Sequence, residues 1–242
     1  DMQQLHYDVR SLQAQRVLSA CRDYLPTEAA GLGDCDCEFR SDSRLATLYH
    51  AFNRSLLREV VKNRFIPAPL VEELLLDGVL ELASHHRFER LYGPGNGLFD
   101  EDTWRSTVES AYARARAGTE DNPRRRTGGR PRPWGKANRL ILRHQLLGHS
   151  FLGSLVNEGP HSYFGHSSTV FQGLTYKPGR SNEHTTGPTY HLIVDFGENA
   201  AYTNIAGGRT ERALHRHYRL GVASWLTARY ERFVHPSKDD FH

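Results

Sequence analysis

Two hydrophobic periods share this chain and meet at one short segment. Up to about residue 116, apolar side chains recur at the three-to-four spacing of one helix face; after Trp134 they fall in short runs suited to strands. Leu45, Leu48, Tyr49, Phe52, Leu56 and Val60 make the clearest helical stripe, with Asp42 or Ser43 placed to cap it. Trp104, Val108, Ala111 and Ala115 predict another helix over about Asp102 to Arg116. A third is expected from about Pro69 to Leu82, since proline suits a first helical turn. Met2, Leu5, Val9 and Leu12 predict an opening helix before the break at Pro26 and Gly31–Gly33.

In the second period, Asn138–His144 and Tyr190–Phe196 read as strands. Along "YHLIVDF", Tyr190, Leu192, Val194 and Phe196 share one face and Ile193 lies on the other, which predicts a strand buried on both sides. Gly165–Thr186 is rich in Gly and Ser and reads as loops. The chain is expected to close in a helix carrying Leu214, Tyr218, Trp225 and Phe233, sealed onto the preceding strands. Helices first and strands later give an α+β class. The expected organisation is a mostly helical 1–117, a loop at 118–133 and a strand-rich 134–242, together one domain of a larger protein.

The junction itself, "TEDNPRRRTGGRPRP" (119–133), is dense in Pro, Gly and Arg. A basic arm for nucleic acid would interleave aromatics to stack on bases, and this one does not, so a surface loop is the expectation. The net charge of +3, from 31 basic and 28 acidic residues, is too mild to imply a nucleic-acid or membrane partner. No apolar run approaches the ~18 residues of a membrane span. No signal-peptide pattern opens the chain, but its single Met follows Asp1, so that carries nothing about compartment.

Self-contained chemistry is sparse. "GHSFLG" (148–153) invites a nucleophile-elbow reading, but G-x-S-x-G needs its second glycine at position 152, where Leu stands, so Ser150 and His149 are expected to be non-catalytic. The 14 histidines include the pairs His85–His86, His161 with His166, and His215 with His217, yet no H-E-x-x-H motif. His215 and His217 would face one ion only on a strand. "GPGNG" (93–97) follows no strand and carries no Lys, so it reads as a turn rather than a phosphate loop. Cys21, Cys35 and Cys37 are too few and wrongly spaced for a disulfide framework or a structural zinc site. Catalytic, cofactor-binding and metal-binding residues are therefore all expected to be none in this chain.

Five waypoints nevertheless occur in a recognisable order. They are "MQQLHYDVRSLQAQRVL" (2–18), "LGDCDCEFRSDSRLATLY" (32–49), "WGKANRLILRH" with "GPHSYFGHSSTV" (134–170), "GPTYHLIVDFGE" (187–198), and "AGGRTE" with "LHRHY" and "SWLTARYERF" (206–233). Together they resemble the C-terminal half of the β subunit in the penicillin acylase (penicillin amidase) family of N-terminal-nucleophile amidohydrolases. The departures are specific. Cys35 stands where that family has Trp, His166 and Phe171 where it has Asp and Asn, Arg209 where it has Gln, Thr210-Glu211 for Ser-Gly, and Leu220-Gly221 for Asp-Gln.

The resemblance implies the C-terminal part of a four-layer αββα fold that packs two sheets between helical layers. It also implies an autoproteolytically processed amide hydrolase acting on N-acyl amides such as β-lactam side chains or acylated amines. The nucleophile would be the first residue of the β subunit, upstream of this chain, using its own α-amino group as base; Asp1 lacks the hydroxyl or thiol that role needs. Calcium, if used, would bind upstream. The partners implied are the rest of the precursor (the α subunit and the N-terminal half of β) and a small N-acyl amide, in a periplasmic or secreted setting. Two rivals stand beside it: a non-catalytic scaffold or binding subunit that keeps the fold, and a His-based metal hydrolase.

Overall fold

The computed structural model describes residues 2–62, 67–76, 83–84, 87–119, 130–175 and 183–234. The opening apolar stripe does not make one helix. Instead α1 (Met2–His6) stops short, an extended link follows, and α2 (Leu12–Cys21) begins again. The link is held by tertiary hydrogen bonds: Phe39 N–H to Val9 O at 2.9 Å and Ser11 N–H to Cys37 O at 3.0 Å. Those bonds override the local helical pattern. Leu12 is left 69% exposed, and α2 buries the Ala14, Val17, Leu18 and Cys21 face instead.

After the short α3 (Ala30–Gly33), the strongest stripe forms α4 (Arg44–Val61) as expected. Ser43 is its cap: the backbone there is extended, and the hydroxyl oxygen accepts the Ala46 N–H at 3.1 Å. The third helix is α5 (Ala68–Leu76); its expected extension to Leu82 lies outside the described residues. A short α6 (Phe88–Leu91), not expected from the pattern, precedes α7 (Glu101–Thr119). α4 packs on α7, and Phe52, Leu56, Val60, Trp104 and Val108 are completely buried in one core. Burial of such side chains stabilises by about 1.5–3 kcal/mol each. Trp104 also satisfies its indole N–H by donating to Ala20 O at 3.3 Å. Residues 120–129 of the Arg-rich junction lie outside the described residues.

Beyond the junction a short α8 (Trp134–Ala137) leads into β1 (Arg139–Leu142). Next come α9 (Gly153–Val156), β2 (Glu158–Ser162), β3 (Leu174–Thr175) and β4 (Glu183–Thr186). These strands form a mixed sheet in the order β2-β1-β4-β3, with β1 and β4 parallel. The Gly- and Ser-rich stretch expected as loops thus holds two short strands, β3 and β4. β5 (Tyr190–Asp195), β6 (Ala200–Ile205) and β7 (Glu231–Val234) form a second, antiparallel sheet in that order. Within it Leu192 faces Thr203, Val194 faces Ala201, and Ala201 faces Phe233. Cross-strand partners share a face, so Tyr190, Leu192, Val194, Ala201 and Phe233 lie on one largely apolar surface, which also carries Thr203 and Glu231.

That surface corrects the expectation of burial on both sides. Tyr190, Leu192 and Val194 are 55%, 47% and 49% exposed, whereas His191, on the opposite face, is buried. The buried face meets a small core of Leu140, Tyr163, Phe171 and Trp225, flanked by Tyr7.

The tail is corrected as well. The expected long closing helix is only α10 (Val222–Leu226), after which the chain reverses into β7. Ala228 takes the left-handed φ of +56° as the residue after the cap. Arg229 N–H then donates to Ser224 O at 2.9 Å and Ala228 N–H to Trp225 O at 3.5 Å, the paired bonds of a Schellman stop. Leu214 and Phe233 are consequently exposed, while Trp225 is buried.

Candidate functional site

Among the described residues, three clusters of His, Tyr, Ser or Arg side chains are the first candidates for chemistry. The first is built on α4 and on the loop after β2. His50 Nδ1 lies 3.0 Å from His166 Nε2, His166 Nδ1 lies 2.9 Å from Ser168 Oγ, and Ser168 Oγ lies 2.7 Å from Ser11 Oγ. The His166 ring stacks on Phe39 with 4.4 Å between centroids, and Trp134 presents an edge to His50. Trp134 also donates its indole N–H to Gly165 O at 2.9 Å, fixing the loop that carries His166. Two imidazoles and two hydroxyls in series can relay a proton or lock a unique geometry. Every member here also has a structural duty. Ser11, fully buried, caps α2 by accepting the Ala14 N–H, and His166 is 5% exposed. An activated serine needs a base on one side and room for a substrate on the other, and Ser168 is instead tied to a second hydroxyl. The arrangement is that of a buried polar lock.

Sequence spacing pairs His161 with His166, but the fold separates them. His161 Nε2 meets Glu158 at 2.8 Å, and Glu158 also takes Arg219 Nε at 2.8 Å. The true partner, His50, lies beside the apolar stripe of α4, and no spacing in the sequence marks it.

The second cluster joins α1 to β5 and to the residue before β7. His6 Nδ1 lies 2.8 Å from the Tyr230 hydroxyl, and the His6 and His191 rings are 5.2 Å apart. Tyr7 stacks on Phe171 and donates its hydroxyl to Trp225 O at 2.6 Å. Burial first, then the adjacent Tyr230, pushes the Tyr7 hydroxyl far above the usual phenol range. Burial, and secondarily His6, holds the His191 imidazole below its ordinary value. His191 Nδ1 is buried and finds no hydrogen-bond partner among the described residues.

The third is a groove of about 420 Å³ between the end of β1 and the tail, lined by Arg143, His144, Gly208, Thr210, Tyr218 and Arg219 among others. Two of its charged residues, Arg219 and Glu158, are committed to each other. Besides Glu158, Arg219 reaches Leu155 O and Asn157 O at 3.1 and 3.0 Å, and Tyr218 donates to Val156 O at 2.9 Å. A Cβ added to Gly208 would come within 1.9 Å of Tyr218 O, so the Gly-Gly pair is where the tail closes on itself. Arg209 N–H seals that closure at 2.9 Å on His217 O. The tail clasps the β2 side of the fold.

The other sequence candidates resolve individually. Ser150 is exposed in a turn rather than at a strand-to-helix elbow; its hydroxyl donates to Leu147 O at 2.7 Å, and His149 is exposed beside it. Gly93, Gly95 and Gly97 all have positive φ, and Asn96 accepts the Leu98 N–H, the geometry of a turn. His215 and His217 lie in a turn, not on a strand, with rings 5.0 Å apart. His85 and His86 lie outside the described residues. Among the described residues no group of three or more His, Cys, Asp or Glu side chains is placed to hold a metal ion, and no helix is long and apolar enough to cross a membrane.

A search of curated proteins finds no match. The penicillin amidase family matches residues 1–239, nearly the whole length, including the opening "MQQLHYDVRS", the Trp134 segment and the closing clasp. The chain belongs to the penicillin amidase family.

Proposed function

We propose that this chain is the C-terminal portion of an amide hydrolase that cleaves N-acyl amides, such as β-lactam side chains or acylated amines, with its nucleophile upstream. The observation that carries the reading is the family match over residues 1–239. A second supports it. The apolar face of β5–β6–β7 is exposed in this chain, as an inner sheet of a four-layer αββα fold would be without its companion sheet. The remainder of the same precursor, the α subunit and the N-terminal half of β, would supply that sheet, in a periplasmic or secreted protein.

In such an enzyme a free α-amine, with pKa near ~8, takes the proton of a neighbouring hydroxyl at neutral pH. Preorganised N–H donors hold the oxyanion of the tetrahedral intermediate. The residues of this chain have a supporting role: α4 and α7 form the helical layer, the second sheet forms an inner layer, and the tail clasps the strands. A non-catalytic scaffold is the second reading, and the substitutions His166 and Phe171 favour it. Both side chains are buried among aromatic neighbours, so these positions serve packing.

The test compares the full-length product with residues 1–242 on chromogenic phenylacetyl and fatty-acyl anilides. Turnover by the full-length protein alone, kept within a few-fold in Ser150→Ala, supports the reading. Turnover by residues 1–242 alone, or a roughly thousandfold loss in Ser150→Ala, overturns the site assignment. Silence from both chains overturns the hydrolase reading in favour of the scaffold.

A further inference from the structure

The turn between α3 and Glu38 carries two thiols one residue apart, Cys35 and Cys37. Cys37 has φ of +57°, a left-handed conformation that residues with a Cβ seldom adopt. The effect is to fold residue 37 back over residue 35. The Cys37 N–H donates to Cys35 Sγ at 3.3 Å, and Cys37 Sγ donates to Cys35 O at 3.5 Å.

The pair is asymmetric. Cys35 is half-buried and reachable from solvent, whereas Cys37 is 4% exposed. The hydrogen bond from the Cys37 thiol, with a smaller contribution from its N–H, holds Cys35 below the ordinary thiol range. That same bond, then burial, pushes Cys37 upward. Cys21 makes the contrast: it is fully buried in the helical core, and burial alone raises its thiol. One accessible sulfur biased toward thiolate, backed by a buried second sulfur, is the division of labour in thiol–disulfide exchange.

We propose that Cys35 and Cys37 form a reactive dithiol site that exchanges with small-molecule disulfides, Cys35 attacking and Cys37 resolving. In the first step the Cys35 thiolate forms an S–S bond to one sulfur of the small disulfide, whose own S–S bond breaks and releases one thiolate. In the second, Cys37 gives up its proton and attacks Cys35 Sγ, closing the Cys35–Cys37 disulfide and expelling the second thiolate. The two protein thiols are oxidised, and the small disulfide is reduced to two thiols. Both thiols sit on one tight turn, with the Cys37 N–H 3.3 Å from Cys35 Sγ and the Cys37 thiol 3.5 Å from Cys35 O, so closure is a rearrangement within that turn.

The experiment uses the full-length protein, reduced, freed of reductant and equilibrated with oxidised glutathione. It is then quenched with N-ethylmaleimide, denatured, alkylated and mapped by peptide mass spectrometry. The peptide spanning both residues should lose two hydrogens while Cys21 stays a free thiol. Cys37→Ser should instead hold one glutathione on Cys35, and Cys35→Ser should give neither product. In the native protein, Ellman's reagent should modify Cys35 at least about tenfold faster than Cys21. That rate decides the matter even where a variant fails to fold. Equal rates at Cys35 and Cys21, or a wild-type chain with neither disulfide nor adduct, overturn the proposal.

Discussion

Replacing Trp225 tests the packing that joins the tail to the rest of the chain. Its ring is 1% exposed, lies nearly parallel to Tyr163 at 5.9 Å and sits 5.6 Å from Phe171. Its indole N–H donates to Pro188 O at 2.9 Å, tying α10 to the residue pair before β5. Trp225→Ala removes the ring and leaves a cavity, which costs about 3–5 kcal/mol. It also strands the Pro188 carbonyl, adding about 1 kcal/mol if water cannot reach it. For a chain of this length each kcal/mol moves the melting temperature by about 2–4 °C, so a fall on the order of 10–20 °C is expected. Trp225→Phe keeps much of the volume and loses the donor, and should fall between the two. Thermal melts followed by circular dichroism read both changes. A Trp225→Ala protein melting within ~2 °C of the parent would refute the buried-clasp account.

Further outcomes follow from single contacts. Ser43→Ala should cost about 1 kcal/mol in urea unfolding, because the Ala46 N–H at the start of α4 loses its acceptor. Gly208→Ala sets a Cβ against the Tyr218 backbone at 1.9 Å and should cost about 1–3 kcal/mol, whereas Gly31→Ala, with open space around it, should be neutral or slightly stabilising. His191 is held below its ordinary 6.5, so the unfolded chain takes up a proton first as the solution is acidified. Stability present above pH 6.5 should therefore be lost as pH falls through the lowered value, and His191→Phe should flatten that slope in melts between about pH 8 and 5.

Where one element contained its own reasons, the sequence was easy to read. α4 and α7 each carry an apolar face long enough to define a helix, and the Ser43 cap sits one residue before the first turn. Pattern alone misled where distant hydrogen bonds decide. Val9 continues a helical stripe, yet its carbonyl is claimed by Phe39. The tail departs from its helical pattern because its stop uses Ala228 in a left-handed conformation, a break that glycine marks in a sequence and alanine does not. The His50–His166–Ser168–Ser11 chain joins residues up to 157 positions apart, so no local spacing could foretell it. The turn at "GPGNG" is legible because its three glycines take the positive φ that a tight turn uses.

The strand Tyr190–Asp195 sharpens the point, because its sequence and its surroundings disagree in a directed way. The alternation predicts two buried faces; the fold buries the His191 face and leaves Tyr190, Leu192 and Val194 half in water. A surface that wants only solvent has no use for this run, since each half-exposed side chain forgoes about half of the ~1.5–3 kcal/mol that full burial gives. Phe233 extends the same face from β7 across Ala201, and an exposed, largely apolar sheet face is also a hazard for non-specific association. Cover by a companion sheet removes both costs at once, and it does so without any change in the register already formed between β5, β6 and β7. On the reading proposed above, the disagreement lies at the boundary of the chain's own interactions: this face would be completed by a sheet from the rest of the precursor, and a longer chain that left Leu192 and Val194 equally exposed would refute that.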